Sequence, residues 1–265
     1  MNTRPIGIFD SGLGGLTILK TLSRALPKEK LIYFGDTVNV PYGSKSKKAV
    51  TRFSLDIAKF LESQHVKLII VACNTASALA LTELQKKISV PVIGVIEPGA
   101  AQAARSTKNN RVAILATEAT VHSQAYPRAL QRLNKQIRTY QQACPVFVPL
   151  IEEGWIHGPA GKLIIADYLA SAAKSGADTI ILGCTHYPVI KHLIAKQVGK
   201  KVHLVDSAEV LTAEVKNLLT RTKQLNTNGR GSLKIYASDD PARFKRLAKN
   251  ILGRELNRVY LKKLN

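Results

Sequence analysis

No apolar run in the 265-residue chain approaches the roughly 20 residues needed to cross a bilayer. Only five residues precede the first strand pattern, so no signal peptide is read and a cytoplasmic protein is expected. Cysteine is scarce: there are three, none in a Cys-x-x-Cys pair, which argues against a disulfide framework and against a thiolate zinc site. No His/Cys/Asp/Glu cluster has metal-ligand spacing and no lysine stands in a pyridoxal-phosphate context, so neither metal nor cofactor is expected. Acidic residues are few as well, 18 against 39 Lys and Arg, which leaves a formal charge of +21. The excess is densest toward the C-terminus, at Arg243, Lys245, Arg246, Lys249, Arg254 and Arg258. Such a surface can attract nucleic acid or other anions. With no aromatic interleaving and no nucleic-acid motif beside it, a solvated basic helix face is the favoured reading.

What is present is a set of short apolar runs that end in polar residues. Residues 179–182 are apolar and β-branched, stop at Gly183, and lead into Cys184, Thr185 and His186. That pattern reads as a buried strand with chemistry at its carboxyl end, where ligands sit in open α/β sheets. Residues 67–76 repeat it, an apolar strand followed by Cys73, Asn74 and Thr75. The first strand, at residue 6, runs into Asp10 and a glycine turn, Ser11-Gly-Leu-Gly-Gly15. This turn lacks the Lys-Ser/Thr ending of a P-loop and the spacing of a dinucleotide fingerprint. A second strand ends at Asp36 before a Pro/Gly loop, Asn39-Val-Pro-Tyr-Gly-Ser44, whose amides can wrap an anion. Helices are expected at about 46–64 and 75–87, and a strand at 90–96 ending in Glu97, which makes a βαβαβαβ order.

A second pass follows, with strands at 111–116, 145–151 and 179–182 and at 202–205, the last ending in Asp206, and helices at 126–133, at 160–175 and from 189. Ile6 aligns with Val112, Cys73 with Cys184 and Val92 with Val202, at offsets of 106, 111 and 110 positions. A nearly constant offset points to an internal duplication. The expected fold class is therefore α/β: two similar, mostly parallel lobes related by a pseudo-two-fold axis, with the active site in the cleft between them. Residues 1–97 and 209–265 are assigned to the first lobe and 98–208 to the second, with a late helix at 208–219, a strand at 233–237 and a basic helix from 241 packing back on the first.

Two lobes of this kind bring Cys73 and Cys184 to opposite sides of one ligand. A pair of equivalent bases suits removal of a proton from one face of a carbon and its return to the other, which is racemisation or epimerisation. A thiol of pKa about 8.5 comes into range when a positive group or N–H donors lie nearby. His186 is placed to assist one thiol, and Asp10 and Glu152, at expected strand ends, to steer protons or bind an ammonium. Asn74, Thr75 and Thr185 can hold a carboxylate. Cys144, with no polar cluster, reads as a small buried hydrophobe, Asp36 and Asp206 as structural, and Trp155 as packing near the cleft.

At five stretches the chain resembles the glutamate racemases of the aspartate/glutamate racemase superfamily: Phe9-Asp-Ser-Gly-Leu-Gly-Gly15, Pro41-Tyr-Gly-Ser44, Ala72-Cys-Asn-Thr-Ala76, Val148-Pro-Leu-Ile-Glu-Glu-Gly154 and Gly183-Cys-Thr-His-Tyr-Pro188. The resemblance implies a cofactor-independent acid/base pair, Cys73 acting on the D-enantiomer and Cys184 on the L-enantiomer. It implies substrate contacts from Asp10, Ser11, the loop of Pro41, Tyr42 and Gly43, Asn74, Thr75, Thr185 and His186, with Thr117 and Thr120 near the α-carboxylate. It further implies glutamate as substrate, D-glutamate supplied to peptidoglycan, and a homodimer. A racemase for aspartate or another acidic amino acid, and a basic nucleic-acid-binding protein on the same fold, are the alternatives.

Overall fold

The computed structural model describes residues 2–264. The first lobe is built from β1 (Ile6–Asp10), α1 (Leu16–Ala25), β2 (Lys30–Gly35), α2 (Lys47–Ser63), β3 (Leu68–Val71), α3 (Asn74–Leu79), α4 (Leu81–Lys87) and β4 (Val92–Gly94). The chain continues with α5 (Ile96–Ser106), β5 (Arg111–Ala116), α6 (Glu118–Ser123), α7 (Ala125–Leu133), β6 (Arg138–Ala143), α8 (Phe147–Glu152), α9 (Pro159–Lys174), β7 (Thr179–Gly183), α10 (Lys191–Val198) and β8 (His203–Asp206). It closes with α11 (Ser207–Arg221), β9 (Ser232–Ala237), α12 (Pro241–Leu252) and β10 (Tyr260–Leu261).

Every strand pair is parallel. One sheet runs β10-β9-β2-β1-β3-β4 and the other β6-β5-β7-β8. The order β2-β1-β3-β4 in the first is thus matched position by position in the second, which is the expected duplication seen as topology. Strands β1, β3 and β7 are buried along their whole length, because helices cover both faces of each sheet. Their near-continuous Ile, Val and Leu content follows from that double burial.

Several local readings are corrected. Residues 145–151 are not a strand: Pro145 and Pro149 cannot donate to a ladder, and the segment forms the short helix α8. The strand of that region is β6, a half-buried sheet edge of mostly polar residues rather than an apolar run. The single helix expected over 75–87 breaks at Ala80 into α3 and α4, and the strand expected over 90–96 stops at Gly94, with Ile96 already in α5. Trp155 does not pack near the cleft; it is 67% exposed.

At the amino ends of the strands Lys67 is buried with Glu29, Nζ to Oε2 at 2.7 Å, and also donates to the carbonyls of Asn2 and Gln224. A cation so placed persists only because all its donors are engaged. It pins the end of the first lobe opposite the cleft. Helix α11 packs on both α1 and α5 and so joins the two lobes. Among the described residues no helix is long and apolar enough to cross a membrane.

Candidate active site

The carboxyl ends of β1, β3, β5 and β7 converge on one interface between the lobes. Asp10 is the last residue of β1, Cys73 follows β3 by two positions, Thr117 follows β5 and Cys184 follows β7. Side chains meet across the gap: Thr185 donates to Asp10 Oδ1 at 3.2 Å, Thr75 and Thr117 share a hydroxyl contact at 2.9 Å, and Thr75 and Thr120 one at 3.3 Å. The Tyr126 hydroxyl donates to Asn74 Oδ1 at 2.7 Å. Thr17 donates to the Thr185 carbonyl at 3.0 Å. The residues singled out in the two halves of the sequence are therefore brought together.

Cys73 caps α3, its Sγ accepting from the Ala76 N–H at 3.5 Å and lying 3.8 Å from Ser11 Oγ. Burial pushes this thiol up to about 12, with the Asp10 charge adding to the rise and the Ala76 N–H and the contact with Ser11 opposing it. Asp10 itself is raised by complete burial, against which its donors Gly12, Gly15 and Thr185 and the positive charge of His186 pull it down. Its oxygens are held in place by those three donors rather than by a cation.

Behind Cys184 stands a relay. His186 Nδ1 lies 3.7 Å from Cys184 Sγ and its Nε2 lies 2.8 Å from Glu152 Oε1. Burial alone would depress the imidazole, but the hydrogen bonds to Cys184 and Glu152 outweigh it and hold His186 at about 10. It is therefore cationic through the neutral range. Because 10 lies above the ordinary 6.5, the pair stabilises the fold fully below about pH 6.5 and loses that contribution as pH rises through about 10. Glu152 reaches this position from the end of α8, not from a strand as expected.

Tyr42 contributes differently from what its type suggests. Its phenol is buried and donates to Asp36 Oδ2 at 2.5 Å, and Asp36 also accepts from Asn39 and Ser238. Asp36 thus anchors the Pro41-Tyr42-Gly43 loop, which presents its backbone to the cleft, with Gly43 against Thr117. A cavity of about 250 Å³ lies between Pro41 and Gly43 on one side and Thr117, Val148 and Glu152 on the other. A second, of about 150 Å³, adjoins it at Val40 and Glu152 and is bounded by Gly12, Arg243 and Phe244. Neither cavity is lined by Cys73 or Cys184, which are buried at 5% and 6% exposure. Cys144 is fully buried among apolar residues of the second lobe, as its sequence context indicates. Tyr126 and Thr17 were not legible beforehand, since a tyrosine or threonine at helical spacing reads as packing. Among the described residues no group of three or more His, Cys, Asp and Glu side chains is placed to hold a metal ion.

Residues 6–215 match the Asp/Glu/hydantoin racemase family. The chain belongs to that family. The glutamate racemase of Geobacter metallireducens is 49% identical over 261 residues, 98% of this chain and 97% of the relative. Among solved structures, a glutamate racemase isoform of Bacillus anthracis superposes with a TM-score of 0.95 at 33% identity, covering 100% of this chain and 98% of that one. The glutamate racemase of Francisella tularensis, solved in complex with D-glutamate, superposes with a TM-score of 0.93 at 39% identity over 100% and 99% of the two chains. As a racemase of this family, the chain interconverts the mirror forms of an amino acid, and the paired strand-end thiols are the feature of the cleft suited to that chemistry.

Proposed function

We propose that the chain interconverts L- and D-glutamate without a cofactor, Cys73 and Cys184 serving as the two bases, and supplies D-glutamate for peptidoglycan in a bacterial cytoplasm. The observation that carries this reading is the pair of buried thiols at equivalent strand ends of two duplicated lobes, Cys73 beside Ser11 and Cys184 beside the His186–Glu152 pair. With L-glutamate bound, Cys184 as thiolate removes the α-proton and Cys73 as thiol returns one to the opposite face. The reverse direction exchanges the roles. A Cys73 thiol near 12 is the natural acid of the resting pair, and its deprotonation belongs to the bound complex, where the substrate ammonium adds positive charge beside Asp10. Cationic His186 stands 3.7 Å from Cys184 as a donor that can hold or return a proton.

The same reading assigns the ligand's polar groups. Asn74, Thr75, Thr117, Thr120 and Thr185 offer an amide and hydroxyls to the α-carboxylate, Asp10 pairs with the ammonium, and the Pro41-Tyr42-Gly43 backbone faces the distal carboxylate. Ser11 and His186 complete the wall on the two thiol sides.

One methylene separates glutamate from aspartate, a difference a pocket typically discriminates by about 1–3 kcal/mol. The decisive assay follows circular dichroism with L-glutamate, D-glutamate, L-aspartate and L-alanine in turn. Turnover of both glutamate enantiomers at a rate at least about tenfold above aspartate is expected; faster racemisation of aspartate overturns the assignment.

The relay has its own signature. Glu152→Gln removes the carboxylate that helps hold His186 at about 10, so the imidazolium should lose its proton at lower pH. The alkaline limb of kcat/KM for L-glutamate should then move down by about 1–2 pH units, measured from initial rates between pH 6 and about 10.5. An unmoved limb contradicts the relay.

A further inference from the structure

Asn74 presents an imbalance that the two-thiol account leaves unexplained. Its side chain is 2% exposed, its Oδ1 accepts from Tyr126, and its Nδ2 has no hydrogen-bond partner. A buried amide N–H₂ left unpaired costs about 1–3 kcal/mol, so such a group persists where a ligand satisfies it. Asn74 directly follows Cys73 and opens α3, next in the chain to Thr75, whose hydroxyl meets those of Thr117 and Thr120. An acceptor lodged between the thiols and those hydroxyls is in reach of this donor, and a carboxylate is the acceptor the reading above supplies.

The amide is planar, so fixing Oδ1 fixes the direction of Nδ2. Tyr126 does the fixing from the other lobe, and it is itself immobilised: it is 1% exposed, and a Cβ added at Gly99 or Gly183 would stand 3.3 Å from its ring. Its hydroxyl is raised by burial well above the ordinary range and stays a donor at every working pH.

We infer that Tyr126 is a positioning residue for the racemisation, holding the Asn74 amide across the lobe interface so that Nδ2 is presented to the substrate carboxylate. The inference rests on the reading of Asn74 as a carboxylate ligand. It also makes substrate affinity depend on how the lobes meet, since donor and recipient belong to different lobes.

Tyr126→Phe removes one oxygen and leaves the ring. With both glutamate enantiomers, KM should rise about tenfold, the worth of one hydrogen bond, while kcat stays within about twofold, because the carboxylate is held alike in ground and transition states. KM does not depend on the fraction of protein that folds, so partial misfolding cannot imitate the result. In an Asn74→Ala background the same substitution should change kcat/KM by less than about twofold, since its target is gone. Unchanged constants in Tyr126→Phe, a loss confined to kcat, or the same tenfold loss in the Asn74→Ala background would overturn the inference. The wild type assayed alongside separates the two failures: a wild type inactive on glutamate sinks the substrate assignment, whereas an active wild type with an unaltered Tyr126→Phe sinks the positioning role alone.

Discussion

Cys73→Ser and Cys184→Ser are each expected to lower kcat by at least about a thousandfold in both directions, some 4 kcal/mol of barrier, while leaving the protein folded. In the proposed two-base mechanism every turnover uses both sulfurs, one as base and one as acid, so removing either should stop both directions. A serine hydroxyl occupies nearly the same space but ionises far outside the neutral range, and cannot stand in as a base without a dedicated partner. The fold should tolerate the change well. Cys73 acts as the N-cap of α3 through Sγ, and serine is among the preferred residues for that position. Cys184 lies just past the buried strand β7, where its sulfur faces His186 Nδ1 at 3.7 Å. Circular dichroism kinetics with each enantiomer, together with a thermal melt, checks both halves of the expectation. A variant that keeps more than about a tenth of wild-type activity contradicts the two-base account.

Gly14→Ala should be strongly damaging to both the fold and the cleft. A Cβ at Gly14 would stand 2.3 Å from Thr185 Oγ1 and 2.5 Å from His186 Nδ1, far inside contact distance and against two side chains that are themselves hydrogen-bonded. Thr185 is tied to Asp10, and His186 to both Cys184 and Glu152. Neither can retreat without disturbing the cleft, so the lobes must part. A stability loss of about 1–3 kcal/mol is expected, and a fall in kcat/KM of about a hundredfold, the usual consequence of misplacing reacting groups by an ångström. Gly12→Ala is the comparison, because its Cβ would meet Val40 at an ordinary 3.4 Å and it keeps the N–H that donates to Asp10. Equal behaviour of the two variants in urea unfolding and steady-state kinetics contradicts the close-approach argument.

The parallel α/β architecture and the paired thiols were legible because doubly covered strands need long apolar runs, and each run stops where polar chemistry starts. Asp10, Cys73 and Cys184 stand out at such stops. Strand β6 was missed for the complementary reason: at a sheet edge, half-buried, it carries Arg-Thr-Tyr-Gln-Gln-Ala and no apolar run. The repeat itself held the signal, since β6 begins 108 positions after β2, close to the other offsets. Reading residues 145–151 as that strand also misplaced the origin of Glu152, which comes from a helix kept short by its own prolines. Tyr42 and Tyr126 show the opposite difficulty. Both are buried tyrosines, yet one hydroxyl is spent on Asp36 behind the cleft and the other reaches Asn74 within it. Nothing in residue type or spacing distinguishes them, because the difference lies in how the lobes dock.

The proposed two-base mechanism requires that one sulfur take a proton from the α-carbon and the other return a different one. Turnover of L-glutamate in D₂O, followed by proton NMR at the α-position alongside circular dichroism, tests it most directly. With two bases, each D-glutamate formed early in the reaction should carry deuterium at the α-carbon, while the remaining L-glutamate keeps its hydrogen. D-glutamate formed with its original hydrogen, or L-glutamate exchanging as fast as product appears, would show a single base serving both faces and contradict it.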